Sequence, residues 1–317
     1  MGVCCPVTLA LWDGEVGRSR RKASEDTPEN VVKSGFVAVA GRPNVGKSTL
    51  VNALCGAKVV IVSDKPQTTR RRIVGIATGE DYQLVLVDMP GFQRPRDALT
   101  ERMQRTVDRS FDDVDAVLLV VDCRERIGAG DRFVAERVFG LDVPIVIVVN
   151  KVDRLKPGHV ASQMATAAGL GPFLALHPVS AKTGDGIAEL RQELVSLLPE
   201  GPAYFPGDAR TDLPVEAQIA ELVREKALAL TREEVPHAVS VEVDAVEESV
   251  VRASLYVETN SQKQIVVGQG GRVVREIGTR ARPEIEALVG RKVFLDLQVK
   301  VRPHWRRDDA MLERLGL

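Results

Sequence analysis

The chain has 317 residues, enough for about two domains, and its 44% hydrophobic fraction is ample for packed cores. With 43 basic against 44 acidic side chains the net charge is -1, which excludes a chain that grips nucleic acid through an overall positive field; any such surface must be local. No run approaches the roughly 20 apolar residues that cross a bilayer, and the four cysteines show neither metal spacing nor a disulfide framework.

The first residues say least. Met1-Gly2-Val3-Cys4-Cys5 begins like a lipidation signal, but Pro6 stands where myristoylation needs Ser or Thr. No basic residue precedes the short apolar stretch that follows and no clear cleavage site closes it, which argues against a secretory signal. Residues 18–30 are charged and contain proline, so residues 1–33 are expected to form a disordered tail.

An apolar run at residues 36–40 predicts a buried strand, and residues 49–54 predict a helix. Between them stands Gly41-Arg42-Pro43-Asn44-Val45-Gly46-Lys47-Ser48, with Thr49 next. A Gly-rich loop that joins a strand to a helix N-terminus is a phosphate cradle: Gly41 and Gly46 let successive amides turn round the phosphates, and the helix end adds partial positive charge. Lys47 is expected on the β- and γ-phosphates and the Ser48 hydroxyl on magnesium.

A polar stretch follows, Pro66-Gln67-Thr68-Thr69-Arg70, ahead of a strand expected over 71–77. One threonine there should complete the magnesium shell; Thr69 is preferred, with Thr68 as the alternative. The strand at 84–87 leads into Asp88-Met89-Pro90-Gly91, where Asp88 would hold magnesium through water and the Gly91 amide would meet the γ-phosphate. Phe92 occupies the place where many such proteins carry a water-orienting Gln, so slow turnover is expected.

The β-branched run at 143–149 ends in Asn150-Lys151-Val152-Asp153. A carboxylate there can accept from the N1 and 2-amino groups of guanine, donors that adenine does not pair, so Asp153 is the expected base selector. Asn150 would tie this loop to the phosphate loop, and the Lys151 stem would lie along the base. A strand at 174–179 leads into Ser180-Ala181-Lys182, whose amides can meet the guanine carbonyl. An ATP-dependent kinase or ATPase would use the same phosphate loop, but Asp153 argues for guanine.

A helix is expected over 186–197. Pro199, Gly201, Pro202, Pro206 and Gly207 then mark a linker over 199–213. From 215 to 230, Ile219, Leu222, Val223 and Ala227 recur at helical spacing. Alternating stretches at 238–246 and 250–257 predict strands about a Glu247-Glu248-Ser249 turn. A short helix over 262–267, a tight loop at Gly268-Gln269-Gly270-Gly271, helical segments at 272–277 and 280–289 and a last strand at 293–301 complete the plan. That order is the plan of a type II KH domain, whose Gly-x-x-Gly loop clamps about four nucleotides of single-stranded RNA. Lys263, Arg272, Arg275, Arg280 and Arg282 are placed to meet phosphates or, equally, to solvate helix faces. Beyond it, Trp305, Arg306, Arg307 and Arg314 belong to a tail over 302–317.

Taken together, the nucleotide motifs resemble those of the translation and ribosome-assembly GTPases, and Gly41 to Ser48 with Gln67-Thr68-Thr69-Arg70 resembles the Era family. Thr231-Arg232-Glu233-Glu234-Val235-Pro236 and the Gly268 to Gly271 loop are similar to Era's second domain. The resemblance implies an α/β P-loop GTPase domain over 34–198, with a mostly parallel sheet and helices on both faces, then an α+β type II KH domain over 214–301. It implies GTP and GDP as ligands, magnesium as cofactor, small-subunit (16S-type) ribosomal RNA as partner, a role in subunit maturation, and a monomer in the cytoplasm or at the cytoplasmic face of the membrane. It also implies Asn44 as a ligand for an activating potassium ion, and a tail that helps hold RNA, although a plain amphipathic terminal helix fits those residues equally. Era chains usually place Lys after the first Gly of the second loop; Gln269 departs from that pattern and removes a phosphate contact. The other reading of the whole chain is a regulatory scaffold, at a membrane or among protein partners, with the KH-like domain as a protein-contact module.

Overall fold

A computed structural model describes residues 31–317 except 66, 93 and 94. The tail expected over 1–33 therefore lies outside the described residues up to residue 30, while Val32 and Lys33 already belong to the first strand.

Residues 31–201 build one sheet wrapped by helices. In chain order they form β1 (Val32–Ala40), α1 (Lys47–Cys55), β2 (Ile73–Thr78), β3 (Tyr82–Asp88), α2 (Ala98–Arg109), β4 (Ala116–Asp122), α3 (Ala129–Phe139), β5 (Ile145–Asn150), α4 (Pro157–Ala168), β6 (Ala175–Val179), α5 (Ile187–Ser196) and the two-residue β7 (Glu200–Gly201). The strands run β2-β3-β1-β4-β5-β6, parallel except for β2 on β3, and β7 adds antiparallel at the start of β1. Strands β4 and β5 are buried along their whole length because helices cover both faces of the sheet, so their sequences are unbroken apolar runs ending in one polar residue. Alternation along β1 sends Val37 and Val39 toward Leu50 and Leu54 of α1 and Leu190 and Leu194 of α5. Ala38 and Ala40 face Val134 and Val138 of α3 and Ala167 of α4 on the other side. The polar residues that end β3, β4 and β5 thus gather at the C-terminal edge, beside the loop after β1.

The second domain comprises α6 (Val215–Leu230), α7 (Val235–Ala238), β8 (Ser240–Val246), β9 (Val250–Val257), α8 (Asn260–Val267), α9 (Arg272–Val289) and β10 (Phe294–Val301). Its sheet runs β10-β9-β8, with β9 antiparallel to β8 and parallel to β10. Ile219, Val223 and Ala227 of α6 and Ile277, Ala281 and Ile285 of α9 form stripes at four-residue spacing that pack on Val251, Ala253 and Leu255. That stripe explains why α9 is one helix rather than two separate segments. It continues through Gly278 and tolerates Pro283, because the carbonyl of Thr279 that loses its donor lies on the exposed side.

Two stretches are more firmly placed than their composition suggests. Residues 199–213 lie along the sheet: Gln83 Nε2 donates to the Phe205 carbonyl at 2.9 Å, the Ile76 amide donates to Arg210 O at 2.9 Å, and Phe205 packs on Val74, Ile76 and Val85. Residues 302–317 form a 3₁₀ turn at Trp305–Arg307 and α10 (Asp309–Arg314). Trp305 is fully buried, with Met311, Leu312 and Leu315, against Leu99 and Met103 of α2. It does not stack on solvent-borne bases, and Arg306 and Arg314 are engaged by Asp97 and Glu242. The tail thus ties the second domain to the first through Trp305, Arg306 and the apolar face of α10.

Candidate nucleotide site and nucleic-acid interface

The loop after β1 closes round the start of α1. Gly46 is left-handed (φ 100), and a Cβ there would lie 2.3 Å from Asn150 Nδ2, so only glycine lets the base-side loop approach. That amide nitrogen donates to Val45 O at 3.0 Å, while Asn150 Oδ1 accepts from the backbone amides of Lys151 and Ala181. One side chain thereby locks three separate loops together, including the contact to the phosphate loop expected of Asn150. Lys47 is buried and donates to Gly41 O and Arg42 O at 3.1 and 2.9 Å; burial pushes its ammonium down to about 8 even with Asp88 nearby.

Asp88 collects the hydroxyls. Its Oδ2 accepts from Ser48 Oγ at 2.8 Å and from Thr69 Oγ1 at 3.1 Å, and the two hydroxyls are 3.1 Å apart. Thr68 also lines the cavity, but its hydroxyl donates to Lys65 O at 2.7 Å, so of the two threonines only Thr69 joins the cluster. Asp88 Oδ1 is buried without a hydrogen-bond partner, and burial raises its carboxyl despite Lys47. A buried carboxylate with an orphaned oxygen beside two hydroxyls is a hard-oxygen donor set, and it fits magnesium.

At the base end, Asp153 Oδ1 accepts from Ser180 Oγ at 2.8 Å and its Oδ2 lies 3.2 Å from Arg154 Nε, which fixes the carboxylate at the cavity. Pro43, Asn44, Gly46, Lys47, Ser48, Thr49, Thr69, Gly91, Asn150, Lys151, Asp153, Ala181 and Lys182 all line one cavity of about 650 Å³. That size suits a small-molecule ligand, and the phosphate and base motifs share it.

Other residues of the motifs do not face that cavity. Arg42 points away, pairing with Asp131 at 2.7 Å and Glu125 at 2.9 Å, so it braces the loop against the region of α3 instead of touching ligand. Val45, Met89 and Phe92 are buried in the two cores, Val152 packs at the edge of one, and Pro90 is buried. Phe92 stacks on Phe111 at 6.0 Å. Asn44 is exposed, left-handed (φ 64), and donates to Asp64 O at 3.0 Å. The motifs alone did not point to Val62, Ser63, Asp64, Arg124 and Glu125, which also line the cavity. The available signal was the acidic residue Asp122 closing a wholly apolar strand two positions before Arg124.

The segment carrying Thr69 leans on the second domain. Lys58 bridges Glu225 and Glu284 at 2.6 Å each, Val62 N donates to Glu225 Oε1 at 3.0 Å, and Arg224 Nη2 donates to Thr68 O at 2.5 Å. Arg70 is buried, donating to Val239 O at 2.6 Å and His237 O at 3.0 Å, with its guanidinium 5.7 Å from the Trp305 ring centroid.

In the second domain, α8 ends at Gly268 and a 3₁₀ turn spans Gln269–Gly271, with Gly270 and Gly271 at φ 61 and 77. A Cβ on either would meet nothing within 4 Å, so the loop is open to a close-lying backbone. Lys263, Arg272 and Arg275 make no ion pair with any described residue, whereas Arg280 pairs with Glu276 at 2.7 Å and Arg282 lies 3.9 Å from Glu286. Of these five cations, the three without an ion pair to a described residue are those closest in sequence to the Gly loop. Ile265 on α8 is 52% exposed and offers an apolar surface beside them. Among the described residues no helix is long and apolar enough to cross a membrane.

A family profile described as 50S ribosome-binding GTPase matches residues 36–151, and one described as KH domain matches residues 234–306. The chain is 44% identical over 289 residues to the protein named GTPase Era of Lactobacillus delbrueckii subsp. bulgaricus, covering 90% of this chain and 96% of the relative. It is 46% identical over 294 residues to that of Mycobacterium bovis, covering 89% and 98%. Two solved Era structures superpose with a TM-score of 0.87 at 36% identity, covering 90% of this chain and 99% of each. One is a tyrosine-to-alanine variant from Aquifex aeolicus bound to GDP and AlF4-; the other is Era in complex with MgGDPNP and nucleotides 1506–1542 of 16S ribosomal RNA.

Proposed function

The chain belongs to the Era family of GTPases, and we propose that it is a guanine-nucleotide switch that holds single-stranded 16S-type ribosomal RNA during maturation of the small ribosomal subunit. It is a GTPase. The observation that supports the nucleotide reading is that Asp153 and Ala181 line the same cavity as the phosphate loop, with Asn150 bonded both to Val45 O and to the Ala181 amide.

In the reaction, water adds to the γ-phosphorus of GTP as the bond to the β-bridging oxygen breaks, giving GDP and inorganic phosphate. Lys47 and the amides of the loop and of Gly91 balance charge on the phosphates, so catalysis is positioning and electrostatic stabilisation. Ser48, Thr69 and Asp88 would hold magnesium, which neutralises phosphate charge. Asp153 selects guanine, and the Lys151 stem carries the face of the base. Because Phe92 is committed to the core, no side chain at that position orients water, and turnover is slow. Asn44, which lines the cavity, would be the ligand for an activating potassium ion.

The RNA is held by the Gly268 to Gly271 loop, with Lys263, Arg272 and Arg275 on its phosphates. Nucleotide state reaches that surface through the segment 58–72, which places Thr69 at the γ-phosphate end and Arg70 in the second domain. The protein acts as a monomer, in the cytoplasm, where the ribosomal subunit is. The guanine reading is tested by competition: GTP and GDP should displace labelled GDP at concentrations at which ATP does not. Displacement by ATP at similar concentration would overturn it.

A further inference from the structure

Strand β4 is apolar until its last residue, Asp122, whose side chain is 2% exposed. A buried carboxylate at a strand end needs partners. Asp122 Oδ2 accepts from Lys151 Nζ at 2.6 Å and from Arg124 Nη2 at 2.7 Å, and Oδ1 accepts from the Arg124 amide and Nε at 2.9 and 3.0 Å. Burial would raise this carboxyl, but the hydrogen bonds from Arg124 and Lys151 outweigh that and hold it below the usual carboxylate range.

Lys151 is the more constrained partner. Its backbone is left-handed (φ 70), a conformation that costs a non-glycine residue about 1 kcal/mol or more. Its ammonium donates both to Asp122 and to the Asn44 carbonyl, and its Cε would lie 3.4 Å from a Cβ placed on Gly46. The four-carbon stem is therefore stretched across the cavity from the base-side loop to the phosphate loop, pinned at its far end. A free lysine stem has many rotamers, and fixing it before the ligand arrives removes that entropy from binding.

We propose that Asp122 is a positioning residue for nucleotide binding: by anchoring the Lys151 ammonium it holds the lysine stem as a fixed apolar platform for the purine ring. This rests on the reading of the cavity as a guanine-nucleotide site. Because the stem meets the face of the base, Asp122 sets affinity for any purine that enters, while the choice among purines stays with Asp153.

A double-mutant cycle on the full chain tests this. Kd for GDP and for inosine diphosphate, which lacks the 2-amino group, is measured for the wild type, Asp122→Asn, Lys151→Met and the double variant. Asp122→Asn should weaken both nucleotides by the same factor, about tenfold for the loss of a buried charge-assisted hydrogen bond. In the Lys151→Met background the same Asp122→Asn change should alter Kd by less than about twofold, because the lysine that meets the base is gone and only the contact to the half-exposed Arg124 is lost. A role in folding alone would shift the thermal midpoint without this coupling. Additive effects, an unchanged Kd in Asp122→Asn, or a changed ratio of GDP to inosine diphosphate affinity would overturn the proposal. Failure of the guanine reading shows separately, as equal wild-type affinity for ADP and GDP, and leaves the cycle readable with either nucleotide.

Discussion

Thr69 and Arg70 are adjacent in the chain and serve different domains: the Thr69 hydroxyl lies 3.1 Å from Asp88 Oδ2, and the Arg70 guanidinium donates to Val239 O at 2.6 Å. The peptide between them cannot follow one without moving the other. A loop that a third phosphate orders is a two-state element, and here the residue after Thr69 is buried against the second domain. The loop is held there at two further points, by Lys58 on Glu225 and Glu284 at its start and by Arg224 on Thr68 O next to Thr69.

The interface itself has a measurable strength. Trp305 is fully buried and donates through Nε1 to Ala238 O at 2.8 Å, so Trp305→Ala should destabilise the chain by about 3–5 kcal/mol in equilibrium denaturation. A loss under about 1 kcal/mol would mean that the terminal residues are not part of the folded unit in solution.

Base selection should be convertible. Asp153→Asn replaces an acceptor by an amide that can donate, so GDP affinity should fall by about 10- to 100-fold, the cost of removing a charged hydrogen-bond partner. Xanthosine diphosphate, which presents a carbonyl where guanine has its amino group, should bind the variant better than the wild type in the same competition titration. Undiminished GDP affinity would show that another residue reads the base.

Thr69→Ala should separate the two nucleotide states. If the loop that carries it senses the third phosphate as proposed, the variant should bind a non-hydrolysable triphosphate about tenfold more weakly while GDP affinity stays within about twofold of wild type. Chelating magnesium in the wild type should reproduce the triphosphate loss. Equal weakening of both nucleotides would place Thr69 in a general structural role.

Gly270→Asp with Gly271→Asp should abolish capture of single-stranded RNA and leave GDP affinity unchanged. Aspartate tolerates the left-handed backbone of these positions better than most residues and its Cβ would meet no atom within 4 Å, so the loop should survive while its new charge repels phosphate. Retained RNA affinity would favour the scaffold reading of the second domain.

Much of the nucleotide site was legible because its parts are short and local. Gly41 to Ser48, Asp88 to Gly91 and Asn150 to Asp153 each follow an apolar strand, and parallel strands bring such ends to one edge without further information. Helix α6 was legible to the residue from the spacing of Ile219, Val223 and Ala227. What stayed hidden depends on distant partners. Arg42 reads as a ligand contact because it sits in the phosphate loop, yet Asp131, 89 residues away, takes its side chain. Trp305 reads as a tail residue until Leu99 and Met103 cover it. Arg70 sits in a recognisable motif, but the carbonyls of residues 237 and 239 that receive it carry no sequence signature, since any residue supplies a carbonyl.

The central claim is that one loop couples the nucleotide site to the RNA surface. The direct measurement is the Kd of the full chain for a single-stranded segment from the 3′ region of 16S ribosomal RNA, taken with a non-hydrolysable GTP analogue and with GDP, in wild type and Arg70→Ala. Coupling between sites of this kind runs to about 5- to 150-fold, so the wild-type constants should differ by about fivefold or more and converge in Arg70→Ala. Identical wild-type constants in the two nucleotide states would contradict the account.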